Sequence, residues 1–167
     1  MFRPIIICLL ALLACTKDPD PVVAIPDPPQ EKPDGNGGSN GNDNMEMPDH
    51  IQLTVSGKSL PVKIEDNAAT KALVAALRES SITYEADDYG GFEKVGALGR
   101  SLPTSNTQIS TQPGDVILYS GNQIVLFYGT NSWSYTRIGK MEYGTLDELK
   151  TFLKAGQGKI SVTLSLQ

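Results

Sequence analysis

Pro113–Lys140 reads PGDVILYSGNQIVLFYGTNSWSYTRIGK, and this stretch decides the architecture. Gln112-Pro113-Gly114-Asp115 is a turn with Pro and Gly in type II positions. Val116–Tyr119 and Ile124–Tyr128 are near-continuous apolar runs, joined through Ser120-Gly121-Asn122-Gln123 as a hairpin. Strands this apolar are expected to be covered on both faces, as in a barrel wall. Trp133–Ile138 follows as another strand. Strict alternation sets Trp133, Tyr135 and Arg137 on one face, with Ser134 and Thr136 on the other. The only Trp, two Tyr, a Phe and an Arg thus crowd into Phe127–Lys140. Flat rings bury much area at low entropy cost, and a guanidinium can stack on them or grip a carboxylate.

Upstream, Ile51, Leu53 and Val55 alternate with polar residues, then Leu60, Val62 and Ile64 do so after the Ser56-Gly57-Lys58-Ser59 turn. This predicts a strand pair. Asp66-Asn67 offers an N-cap to a helix over Ala68–Ser80, whose face Ala69, Leu73, Ala76 and Leu77 is packing rather than site. Ile82–Tyr84 predicts a short strand. Tyr89-Gly90-Gly91-Phe92 predicts a sharp turn that something approaches closely. Downstream, Thr145-Leu146-Asp147-Glu148 is a capping box opening a helix that carries Leu146, Leu149, Phe152 and Leu153 on one face and runs to Gly156. Ile160, Val162, Leu164 and Leu166 alternate in a closing strand. Two helices among many strands predict a mainly β fold, a closed barrel with helices over its ends.

The folded domain is expected over residues 49–167. Before it, residues 1–14 read as a secretory signal: Arg3, then an apolar run from Ile5 to Leu13, too short to span a bilayer. Leu12-Leu13-Ala14-Cys15 resembles the lipobox of bacterial lipoproteins, which implies that Cys15 is acylated and becomes the new N-terminus. Cys8 leaves with the signal, so no disulfide is expected. Residues 15–48 read as a disordered tether: Thr16–Pro48 holds seven of the eleven Pro, then Gly35–Asn44 reads GNGGSNGNDN. Lys17-Asp18-Pro19-Asp20 resembles the export signal of Bacteroidetes surface lipoproteins. The expected location is therefore extracytoplasmic, lipid-anchored to a bacterial membrane, at the outer membrane or cell surface.

The net charge of −5 is uneven. Thr16–Asp49 carries eight acids and two Lys, whereas His50 onward balances eleven acids against eleven Lys and Arg. A neutral domain lacks the basic face that nucleic acid requires. No zinc set exists, with a single His and both Cys assigned elsewhere. Glu85, Asp87 and Asp88 lack the spacing of a calcium loop and read as a solvated loop. A Ser-His-Asp triad cannot form around His50 at the domain entrance. No cofactor is expected, and nothing in the sequence fixes an oligomeric state.

Three blocks in order, Tyr89-Gly-Gly-Phe-Glu-Lys-Val-Gly-Ala-Leu-Gly-Arg-Ser-Leu-Pro103, Pro113-Gly-Asp-Val-Ile-Leu-Tyr119 and Phe127–Lys140, resemble a bacterial and archaeal family of cyclophilin-like domains of unsettled function. The resemblance covers about Ile51–Lys140. It implies an eight-stranded cyclophilin-like barrel capped by two helices. Cyclophilins are peptidyl-prolyl isomerases whose active face pairs an Arg, in a Phe-His-Arg motif, with aromatic, Gln and His residues. Here Tyr89–Lys94 holds no Arg at a matching spot, and Tyr135 stands where the His falls ahead of Gly139-Lys140. Arg137 or Lys94 would have to replace the missing donor.

The aromatic set Tyr89, Phe92, Phe127, Tyr128, Trp133 and Tyr135 divides between barrel core and an open groove. Arg137 weighs towards a groove, since Arg is seldom buried unpaired; a salt bridge to Glu93 or Glu142 is the alternative. The expected ligand-binding groove is Phe92, Phe127, Trp133, Tyr135 and Arg137. The expected role is a non-catalytic module for a peptide or small ligand. The rivals are a divergent prolyl isomerase or folding helper and a structural accessory subunit.

Overall fold

The computed structural model describes residues 46–167. The signal segment 1–14, Cys15 and nearly all of the 15–48 tether lie outside them. Nine strands and two helices follow in the order β1 (His50–Val55), β2 (Lys58–Ile64), α1 (Ala68–Glu79), β3 (Ile82–Tyr89), β4 (Glu93–Ala97), β5 (Thr107–Ser110), β6 (Asp115–Tyr119), β7 (Gln123–Phe127), β8 (Ser132–Met141), α2 (Leu146–Phe152) and β9 (Ile160–Ser165).

All pairings are antiparallel. Eight strands run β2-β1-β9-β3-β4-β7-β6-β8, and β8 pairs back onto β2, which closes the barrel. The expected eight-stranded barrel with two helices is the observed one. A ninth strand, β5, lies beyond it on the first half of β8, Thr107 opposite Tyr135. Its sequence, TQIS, is polar and largely exposed, so no apolar alternation announces it.

The inward residues of the strands and the buried faces of both helices form one core. Val116, Leu118, Ile124 and Leu126 share it with Leu73, Val74 and Leu77 of α1, Leu149 of α2 and Leu153 just after α2. Burying each such side chain favours folding by about 1.5–3 kcal/mol. Asn67 caps α1, its side chain accepting from Thr70 N at 3.0 Å. Thr145 and Glu148 form the predicted capping box of α2. That helix is shorter than expected, ending at Phe152, and Leu146 is exposed rather than packed.

Two elements differ from the sequence expectation for local reasons. β3 runs to Tyr89, because Ile82, Tyr84 and Ala86 continue a period of two that sends Thr83, Glu85 and Asp87 outward. The acidic run is thus strand rather than loop. At the seam between β8 and β2, Gly139 faces Ile64, and a Cβ there would overlap the Lys63 carbonyl, so the closure requires glycine. A bulge beside it inserts Ile138 between the pairs Ile117–Arg137 and Val116–Gly139.

Candidate functional site

The barrel wall of β4, β7, β6 and β8 has a second apolar layer on its outer face. Ile117, Val125, Phe127 and Tyr135 form a buried cluster separate from the core, edged by Phe92, Val95 and Ile109. This follows from alternation: β6 and β7 are apolar at successive positions, so each strand supplies both layers. Phe127 is fully buried, stacks on Phe92 with ring planes 8° apart, and meets Tyr135 edge-on at 5.9 Å.

Beside this layer opens a groove of about 490 Å³. Val95 and Val125 form its base, and Tyr89, Tyr119, Trp133 and Tyr135 its ring walls, with Gln123, Asn131 and Glu93 as polar groups. Tyr119 meets Tyr135 edge-on at 6.0 Å. Asn131 Nδ2 donates to the Tyr135 hydroxyl at 3.0 Å, which fixes that ring. Four large apolar side chains of the described residues are exposed, and three of them, Tyr89, Tyr119 and Trp133, line this groove. The groove thus gathers most of the exposed large apolar side chains among the described residues.

Glu93 opens β4, opposite Tyr89 on one side and Phe127 on the other. It is only 5 % exposed, and its Oε2 has no hydrogen-bond partner. Burial pushes its carboxyl up to about 7. The phenol of Tyr135 is raised by burial and, secondarily, by the Glu93 charge, while the Asn131 hydrogen bond acts the other way. Tyr128 is pushed up to about 12 by burial, by its hydrogen bond to Asp88 and by the charges of Asp88 and Glu93. A buried carboxyl without a partner, facing a ring-lined groove, is a chemically competent binding group.

The next residue, Lys94, points the opposite way. It is fully buried inside the barrel, pairs with Asp88 Oδ2 at 2.9 Å and donates to the Gly158 carbonyl. Lys94 therefore supplies no donor to the outer groove. Asp88 also accepts from Tyr128 Oη at 2.9 Å, Gly156 N at 3.1 Å and Gly158 N at 2.7 Å. Burial opposes its ionisation, but the Lys94 ammonium and these donors outweigh it and hold the carboxyl at about 2.

Of the five residues expected in the groove, Trp133 and Tyr135 line it, Phe127 lies beneath it, and Phe92 packs on Phe127. Arg137 is not among the lining residues. Its Nη1 pairs with Asp115 at 2.8 Å and its Nε with Glu65 at 3.4 Å, instead of with Glu93 or Glu142. Glu142 is taken by His50 at 3.2 Å. Glu93, Tyr119, Gln123 and Asn131 were not anticipated as site residues. A broader cleft of about 690 Å³ lies between α2 and the β1–β2 turn, but its Glu148 is spent on the capping box. No group of His, Cys, Asp and Glu among the described residues is arranged to hold a metal ion.

A closed antiparallel barrel with two helices packed into its core and a ring-lined groove on its outer wall defines a cyclophilin-like barrel protein. Residues 53–165 match the model of the Cyclophilin-like family, and the chain belongs to that family. No curated protein shows significant similarity to the chain. Among solved structures, the hypothetical protein AF2241 from Archaeoglobus fulgidus is similar at 17 % identity and a TM-score of 0.50, over 76 % of this chain and 99 % of that one. McbB in complex with tryptophan is similar at 11 % identity and a TM-score of 0.52, over 70 % of this chain and 44 % of that one. At such identities the likeness shows the fold alone.

Proposed function

We propose that this protein is a lipid-anchored bacterial lipoprotein whose barrel presents a non-catalytic binding groove for a small ligand or a peptide side chain. The carrying observation is the groove itself, where exposed Tyr89, Tyr119 and Trp133 surround a carboxyl atom left without a partner. Such a group costs stability in the empty protein, and a ligand that completes its hydrogen bonding recovers the difference. The non-catalytic reading is supported by the positions of the two cations. A prolyl isomerase needs a fixed donor at the groove, but Lys94 is inside the barrel and Arg137 is engaged by Asp115 and Glu65.

Trp133 is the chain's only Trp and is 58 % exposed in the groove, so it reports occupancy directly. A mixed panel of neutral, anionic and cationic small molecules and proline-containing peptides should include ligands that change its fluorescence saturably. Prolyl isomerisation should stay at the uncatalysed rate. Catalysed turnover that Tyr135→Ala abolishes would make the protein an isomerase instead. Silence across the panel would favour an accessory subunit that docks through its rings. Anchoring rests on Cys15: Cys15→Ser should move the full chain out of the membrane fraction, and retention there would refute the lipid anchor.

A further inference from the structure

The binding reading leaves the ligand's chemistry open, and the groove's own charge and ring pattern narrows it. Every ionisable side chain that lines it is an acid or a phenol. No Lys, Arg or His is among the lining residues, so an anionic ligand meets no counter-charge. The one carboxyl, Glu93, is nine-tenths buried at the junction of β3, β4 and β7 with Oε2 unpartnered. Around it stand four electron-rich rings, whose faces attract a cation within about 6 Å by their quadrupoles. A counter-ion and ring faces sharing one partly dry groove are the two requirements for holding an alkylammonium.

We propose that the outer groove takes an organic cation, an ammonium group carried on an apolar body, with Glu93 as its counter-ion and Trp133, Tyr119, Tyr135 and Tyr89 as its walls. The proposal rests on the binding reading above and specifies its ligand class. The apolar body would lie on Val95 and Val125, and the ammonium would donate to Glu93 Oε2, which has no hydrogen-bond partner.

The groups around Glu93 make its ionisation the natural gate. Sharing the groove with it are the phenols of Tyr89 from β3, Tyr119 from β6 and Tyr135 from β8, while Tyr128, after β7, turns into the core and donates to Asp88. Asp88 and Lys94 pair with each other inside the barrel. Asp115, at the start of β6, pairs with Arg137 and Lys140. Burial holds Glu93 near 7 in the empty groove, so a cation must compete with a proton for the same carboxylate. Affinity for the cation should rise as pH increases through 7 and level off above it.

The test is titration of the full-length protein with benzylammonium, its uncharged isostere ethylbenzene, and the anion phenylacetate, read by Trp133 fluorescence and calorimetry. The ammonium should bind at least tenfold more tightly than either comparator. Its affinity should fall about tenfold from pH 8 to pH 6, the change in the ionised fraction of a carboxyl near 7. Glu93→Gln should weaken the ammonium at least tenfold and abolish the pH dependence while leaving the neutral isostere unchanged. A lysine-bearing tripeptide run beside these probes distinguishes the source. Tighter binding of the peptide assigns the cation to a partner's side chain, tighter binding of the small molecule to a free amine, and either supports the proposal. Equal or tighter binding of the neutral or anionic probe overturns the cation assignment while the binding groove stands. If no member of this set or of the wider panel binds, both the assignment and the binding reading fail.

Discussion

Glu93 and Lys94 are neighbours on β4, both are at least nine-tenths buried, and the fold treats them in opposite ways. Inside the barrel, Lys94 meets Asp88 and a carbonyl, and Asp88 collects four donors from the strand region after β7, the loop after α2 and Lys94 itself. On the outer face, Glu93 Oε2 has no hydrogen-bond partner. Ionic groups that hold a fold together are saturated by partners brought from distant segments, since an unpaired buried charge is costly. A group left unsaturated beside an open groove costs stability, and the proposed ligand would offset that cost. One strand thus separates a saturated charge from an unsaturated one by the two-residue pleat alone.

The largest expected effect comes from the interior. Asp88→Ala leaves Lys94 buried without its counter-ion and should cost about 3–5 kcal/mol of stability, measured by denaturant unfolding. Adding Lys94→Met should restore part of that loss. A cost below about 1 kcal/mol would mean that the pair is dispensable and the contrast with Glu93 empty. The same site sets the acid limb. Asp88 is held at about 2, below its ordinary value of 3.8, so its contribution is present above the ordinary value and is lost as pH falls towards 2. Its size is about 2 kcal/mol.

Glu93 should give an effect of the reverse sign. Its carboxyl is raised from 4.5 to about 7 in the folded protein. Between those values the native state holds a proton that the unfolded chain has released. Stability of the wild type therefore declines as pH rises from 4.5 to 7 and is level beyond. Glu93→Gln removes this decline. At pH 8 it should be more stable than wild type by on the order of 2–3 kcal/mol, and at pH 4 equal to it. A variant less stable than wild type at pH 8 would mean that Glu93 has partners after all and belongs with the structural charges. The variant gains stability and loses cation binding, so the two readouts cannot be confused.

Much of the barrel is legible in short-range pattern, because alternation in β1, β2, β9 and β8 and caps at Asn67 and Thr145 are local properties. The outer site is less legible, for a physical reason. Alternation correctly sets Trp133, Tyr135 and Arg137 on one face but says nothing of distance along it. Four residues at about 3.3 Å each put Arg137 roughly 13 Å from Trp133. There it lies beyond the groove and within reach of Asp115. Glu93 becomes a site residue only when β3, β4 and β7 align Tyr89 and Phe127 on either side of it. Those pairings span up to 34 positions in sequence, and no local pattern in Tyr89–Gly96 encodes them. Its one local mark is a strand-forming Glu-Lys-Val set between glycines, which the turn signal of Gly90-Gly91 overshadows.

Arg137→Ala should have the smallest effect, and it tests how far the groove extends. Asp115 is nearly fully buried, but it keeps Lys140 at 3.5 Å and the Gln112 N–H at 2.9 Å when the guanidinium is removed. The expected loss is about 1 kcal/mol of stability, in the range for one partner of a charge pair with alternatives. Affinity for a small ammonium should change by less than twofold, because Arg137 does not line the groove and its charge is already answered by Asp115 and Glu65. A tenfold weakening for a peptide but not for the small cation would mean that longer ligands run along β8 past the bulge at Ile138. In that case the five residues read from sequence would be one extended face, with Glu93 anchoring one end and Arg137 the other.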